Sequence, residues 1–116
     1  MLRISDDVQI YVCSSIVDMR KSIDGLSALV LEHLSLDIYS PAVFVFCNRA
    51  CNKLKCLAWD KNGFILHYKR LEKGKFKFKS RDGVFTITPD QLSWLLAGLD
   101  FQLMHEFSEL NYAHFY

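Results

Sequence analysis

The spacing of apolar and polar positions changes several times along the chain, and each change predicts an element. Val8-Gln9-Ile10-Tyr11-Val12-Cys13 is β-rich and partly alternating, which predicts a first strand. Met19, Ile23, Leu26, Val30 and Leu34 then recur at spacings of 4, 3, 4 and 4, one face of a helix that Asp18 or Ser22 can cap. Gly25 costs such a helix roughly 1 kcal/mol against Ala, so it marks a close approach or the first turn. Pro41 closes the next loop, and Ala42–Cys47 is a short unbroken apolar run, the pattern of a strand buried on both faces. Residues 53–59 and 64–70 flank Asp60-Lys61-Asn62-Gly63, where Asn-Gly is a hairpin signal because both residues tolerate positive φ. These three runs predict an antiparallel meander.

Residues 73–79 alternate lysine with Gly74, Phe76 and Phe78, which places the lysines on one face and the phenylalanines on the other. Val84-Phe85-Thr86-Ile87 predicts a further strand. Thr88-Pro89-Asp90-Gln91 is a helix start in which Thr88 caps, Pro89 takes the first position and Gln91 completes a capping box. Leu92, Leu95, Leu96 and Leu99 form its apolar face, with Trp94 beside it and Gly98 as the stop. Strand runs grouped apart from helices predict an α+β fold, with a mainly antiparallel sheet of about five strands and two principal helices. The expected organisation is one domain over 1–100 and an aromatic tail over 101–116, a docked helix or a partner-binding segment.

Composition narrows the class. With 51% apolar residues, the 116-residue chain can bury a core, which excludes intrinsic disorder. Its longest unbroken apolar run is Ala42–Cys47, far short of the ~20 residues of a membrane span. The opening Met1-Leu2-Arg3-Ile4-Ser5-Asp6-Asp7 lacks the order of a signal peptide, so the expected location is the cytoplasm, with Cys13, Cys47, Cys51 and Cys56 reduced and structural. Their spacing matches no common zinc site, and neither a metal nor a cofactor is expected.

Charge adds what the net value of +1 conceals. Residues 49–81 hold eleven of the fourteen Lys and Arg but only Asp60 and Glu72, a net of +9 against −8 elsewhere. That asymmetry points to an anionic partner, with nucleic acid first. Lysines and arginines on strands, interleaved with aromatics, suit phosphate contact and base stacking. Lysines at a strand edge also block aggregation, and Phe76 and Phe78 read as core. Arg20 and Lys21, placed in the first turn of the first helix, oppose its dipole and so favour an anion nearby. For catalysis there is no Gly-rich phosphate loop, nucleophile elbow or paired-histidine motif. Asp18, Asp24, Asp60 and Asp82 could coordinate Mg²⁺, but each has a local role as a cap, first-turn or turn residue.

Three blocks in this order resemble a known family. They are Asp18-Met19-Arg20-Lys21-Ser22-Ile23-Asp24-Gly25-Leu26, then Lys55-Cys56-Leu57-Ala58-Trp59-Asp60-Lys61-Asn62-Gly63-Phe64 continuing to Tyr68-Lys69-Arg70-Leu71-Glu72-Lys73-Gly74-Lys75-Phe76, and last Ile87-Thr88-Pro89-Asp90-Gln91-Leu92-Ser93-Trp94-Leu95-Leu96-Ala97-Gly98-Leu99-Asp100. Over about residues 8–100 they are similar to the small accessory protein, TnpB, of the insertion sequence 66 family of bacterial transposable elements. The resemblance implies a mobile-element protein encoded beside a separate transposase that carries the strand-transfer chemistry. The motif residues carried over are Asp18, Arg20, Lys21, Gly25, Lys55, Trp59, Asp60, Gly63, Tyr68, Lys69, Arg70, Glu72, Gly74 and Phe76. Family members are usually more basic where this chain has Ala50-Cys51-Asn52, which weakens the case for contact around residues 49–53.

The resulting expectation is a non-catalytic accessory factor for transposition that binds DNA within a transposase complex. The candidate nucleic-acid contacts are Arg20, Lys21, Lys55, Lys69, Arg70, Lys73, Lys75, Lys77, Lys79 and Arg81, with Glu72 orienting Arg70. The expected partners are DNA and the transposase, and no membrane. The alternatives are a protein-interaction subunit without stand-alone DNA binding, and a nuclease using Asp18 or Asp60.

Overall fold

The computed structural model describes residues 7–13, 17–34, 36–77 and 84–99. The expected tail over 101–116, together with Phe78, Lys79, Arg81 and Asp82, lies outside the described residues. Five strands, β1 (Gln9–Cys13), β2 (Ala42–Cys47), β3 (Lys53–Asp60), β4 (Gly63–Arg70) and β5 (Val84–Ile87), form one sheet in the order β4-β3-β2-β1-β5. Helix α1 (Ile23–Leu29) runs into a π-helical turn, Val30–Leu34, and α2 (Pro89–Leu96) follows β5. The α+β expectation and the meander β2-β3-β4 hold. The sheet, however, is mixed, because β1 and β2 run parallel, Gln9 facing Ala42 and Cys13 facing Phe46. Parallel neighbours need a long crossover, usually a helix, and the segment carrying α1 supplies it.

The central strand β2 is buried along its whole length. Its side chains alternate between two cores, as the period of a strand requires. Val43, Val45 and Cys47 join Ile10, Val12, Leu54 and Cys56 beneath Leu92, Leu95 and Leu96 of α2. Ala42, Phe44 and Phe46 join Leu57 on the other side, beneath Leu26 and Val30 of the α1 segment. There the Tyr11 and Phe44 rings stack with centroids 5.5 Å apart. At the far end of the meander, Tyr39, Trp59 and Phe64 form an aromatic cluster, the Trp59 and Phe64 rings meeting edge-on at 4.9 Å.

Local chemistry explains the boundaries. The hairpin connection is Lys61-Asn62, and the positive φ of 53° falls on Lys61 rather than on Asn62 or Gly63. At α2, Thr88 Oγ1 accepts from the Gln91 amide at 3.1 Å, and Gln91 Oε1 accepts from the Thr88 amide at 2.8 Å, the capping box read from the sequence. The helix ends at Gly98, whose φ of 81° lets its amide reach Leu95 O and the Leu99 amide reach Trp94 O. Helix α1 starts later than the apolar spacing suggests. Ser22 holds the N-cap position without a side-chain cap bond, so Arg20 and Lys21 precede the helix rather than opposing its dipole from within. Gly25 lies in the first turn, where an added Cβ would meet the Lys21 side chain at 3.2 Å.

The described part of the expected strand over 73–79 is irregular. Gly74 at φ 79° breaks the extended run, and the Phe76 amide donates to Cys51 O at 2.7 Å. The alternation of environment survives without the strand, since Phe76 is buried while Lys73, Lys75 and Lys77 are exposed. The capping box yields a direct test. Thr88→Ala is expected to destabilise the protein by about 1 kcal/mol, measured as a lowered midpoint in urea with an unchanged slope.

Candidate nucleic-acid interface

Asn48 organises the turn between β2 and β3. Its Oδ1 accepts from the amides of Asn52 and Lys53 at 3.1 and 3.0 Å, and its Nδ2 donates to Asn52 Oδ1 at 2.8 Å. The turn folds tightly through Cys51 at φ 57°, with the Cys51 amide donating to Asn48 O. Arg49 is exposed on this frame, and Lys53 follows as the first residue of β3. The turn is tied to its neighbours at both sides. The Val17 amide donates to Cys47 O, and the Leu71 and Phe76 amides donate to Asn52 O and Cys51 O.

An open cleft of about 590 Å³ lies between these segments, lined by Val17, Asp18, Met19, Arg20, Asn48, Arg49, Ala50, Lys53 and Tyr68. Cations therefore reach it from the loop before α1 and from the β2–β3 turn, while β4 contributes an aromatic ring. Register places Arg70 directly opposite Lys53, and the 71–77 segment, bonded to the same turn through the Leu71 and Phe76 amides, carries exposed Lys73, Lys75 and Lys77. Within the cleft Asp18 accepts from Arg20 Nη2 at 2.7 Å and Nε at 3.0 Å, and also from the Arg20 amide. The Arg20 side-chain hydrogen bonds, aided by its amide, hold the Asp18 carboxyl down at about 2. Arg70 pairs with Glu72 through Nη2 at 2.8 Å, the partnership expected from the sequence; that side-chain hydrogen bond raises the guanidinium pKa.

Two of the expected contacts are placed elsewhere. Lys55 is only 8% exposed. Its Nζ donates to Met19 O at 2.7 Å and Lys21 O at 2.8 Å and lies 5.3 Å from the Tyr68 ring centroid. The Lys55 ammonium thus fastens the 18–21 loop to the sheet and is not an open phosphate contact. Lys69 points to the opposite face of β4, where Nζ donates to Leu96 O at 2.6 Å, a cation at the negative end of α2. Arg20, Lys21, Arg70, Lys73, Lys75 and Lys77 remain exposed. Arg49 and Lys53, which the sequence reading left out of the contacts, line the cleft instead. The signal available for them was the charge window itself, which already included both.

A family model described as IS66 Orf2 like protein matches residues 8–106. The chain belongs to this family. The IS66 Orf2-like family ties the protein to transposition, in an accessory role. Similar chains include two uncharacterized proteins of Sinorhizobium fredii (strain NBRC 101917 / NGR234). One, y4jC, is 42% identical over 86% of each chain. The other, y4hO, is 35% identical over 88% of this chain and 90% of its own. No solved structure matches.

The remaining chemistry of this IS66 Orf2-like chain is dispersed. Asp18 and Asp60 stand near opposite ends of β3, so they form no carboxylate pair. Among the described residues no three His, Cys, Asp or Glu side chains are grouped to hold a metal ion. Burial pushes the Cys13, Cys47 and Cys56 thiols up to about 12, which keeps them protonated and unreactive. Also among the described residues, no helix is long and apolar enough to cross a membrane.

Two predictions follow from the anchored charges. Lys55→Met leaves the Met19 and Lys21 carbonyls without their donor and is expected to cost about 2 kcal/mol or more, against less than ~0.5 kcal/mol for Lys73→Ala at an exposed site; urea unfolding of both variants checks this. The Asp18 carboxyl is depressed in the folded state. Its pairing with Arg20 therefore contributes fully above the ordinary carboxylate range and is lost as pH falls through about 2. Carboxyl NMR is expected to place the Asp18 midpoint near 2, and Arg20→Gln is expected to return it towards the ordinary range.

Proposed function

We propose that the protein is a non-catalytic accessory factor that holds DNA on the basic end of its sheet, working in the cytoplasm within a transposase complex. The observation that carries this reading is the convergence of Arg20, Arg49, Lys53 and Tyr68 on one cleft, beside Arg70 and the exposed lysines of the 71–77 segment. The net charge of +9 over residues 49–81 supports it, because neutralised phosphates release counterions and that release drives binding. Lys21, Lys73, Lys75 and Lys77 contact phosphates at the rim, Arg49 and Lys53 contact them in the cleft, and Lys79 and Arg81 continue the same basic run in sequence. Contacts of this kind position a protein without reading bases, so recognition of the element falls to the transposase.

The test is fluorescence anisotropy of the purified protein with element-end DNA and scrambled DNA across a salt series. Affinity is expected to fall steeply with salt for both DNAs. Each removed contact should make the slope shallower by roughly 0.7–0.9, so the combined Arg49→Ala, Lys53→Ala, Lys73→Ala and Lys75→Ala variant should lose about 3 of slope. No binding by folded wild type at low salt overturns the stand-alone DNA reading and favours the interaction-subunit alternative.

A further inference from the structure

Resting on the DNA-binding reading above, we infer that the cleft takes an unpaired nucleotide stacked on Tyr68, so that single-stranded DNA is the preferred ligand over intact duplex. Tyr68 is a cleft wall and is 53% exposed. The Lys55 ammonium lies over this ring, 5.3 Å from its centroid. That ammonium is itself held by two backbone carbonyls at 2.7 and 2.8 Å. A cation over the ring attracts it electrostatically, so Lys55 both anchors the 18–21 loop and steadies the ring. The result is an aromatic ring with a cation held over one face and about half of its surface open.

The surroundings of that surface fit one nucleotide in chemistry and size. Val17 and Met19 give apolar wall beside the ring, and Arg49 and Lys53 supply cations for a phosphate. Asp18 is the carboxylate in the lining, and its charge is already answered by Arg20. About 590 Å³ falls within the range of small-ligand sites. Duplex DNA presents its phosphates outward and keeps its base faces within the stack, so a duplex can engage only the basic rim. An unpaired base can use both rim and ring, and stacking on one aromatic side chain is sequence-tolerant.

Short DNAs of one sequence, one left single-stranded and one annealed to its complement as a blunt-ended duplex, separate these cases. Each carries 2-aminopurine, and binding is read by anisotropy and by base fluorescence at matched salt. The single strand is expected to bind roughly tenfold or more tighter than the duplex, with fluorescence falling as the base stacks. Tyr68→Leu should lose that preference and the fluorescence change, and Tyr68→Phe should keep both. Arg49→Ala with Lys53→Ala should weaken both DNAs. Equal binding of the two DNAs by wild type, without a fluorescence change, overturns the unpaired-nucleotide site while leaving DNA binding standing. Preserved single-strand preference in a folded Tyr68→Leu variant overturns the role of the ring. Binding of neither DNA overturns both readings. The fluorescence change in wild type is read without any variant, so a misfolded substitution does not remove the test.

Discussion

Ala42–Cys47 carries six apolar side chains that point alternately to opposite sides of a sheet, so neither side of that sheet can face water. Phe44 and Phe46 on one side and Val43, Val45 and Cys47 on the other each require a cover, and burial of a side chain of this size contributes about 1.5–3 kcal/mol. The α1 segment covers the first side and α2 the second. With both sides closed, polar chemistry is left to the sheet ends and edges, and the cleft opens at one such end.

The parallel pairing of β1 and β2 decides which loops meet there. Parallel strands release their outgoing chains at the same end, so the segment after Cys13 and the turn after Cys47 leave side by side, tied by the bond from the Val17 amide to Cys47 O. An antiparallel pair would have sent Arg20 and Arg49 to opposite ends. The antiparallel meander then brings the end of β4 back to the start of β3 and adds Arg70 and Tyr68 to the same neighbourhood. Ligand sites in open α/β sheets form by the same logic, outside the carboxyl ends of parallel strands.

Lysine plays two physically different parts in this molecule. Lys55 and Lys69 are alike in sequence context to the surface lysines, yet each ends on backbone carbonyls, one closing a loop and the other a helix. An ammonium partly withdrawn from water needs such partners, and its removal is felt as stability rather than as lost affinity. Lys73, Lys75 and Lys77 keep their ammoniums in water, where charge acts on rate and affinity of association.

Much of the fold was legible because the signals are local. The Asn62-Gly63 step, the Thr88-Pro89-Asp90-Gln91 cap, the Gly98 stop and the unbroken run of β2 each depend on residues a few positions apart, and each lies at or beside its expected place. The charge window over residues 49–81 likewise required only counting. Other features depend on contacts between residues far apart in the chain. Whether β1 lies beside β2, whether Lys55 reaches the carbonyl of Met19, and whether Arg49 meets Arg20 across a cleft follow from loop closure and packing. The same Lys-alternating run could have been a strand or an irregular segment. A glycine with positive φ and a bond from Phe76 to Cys51 O decided it. The sequence alone determined the buried run of β2, the β3–β4 hairpin, the cap and stop of α2 and the sign of the charge, because periodicity and capping act over one or two turns of chain. Tertiary structure alone decided which cations face solvent, because a lysine's partner is set by the backbone that folding brings to it.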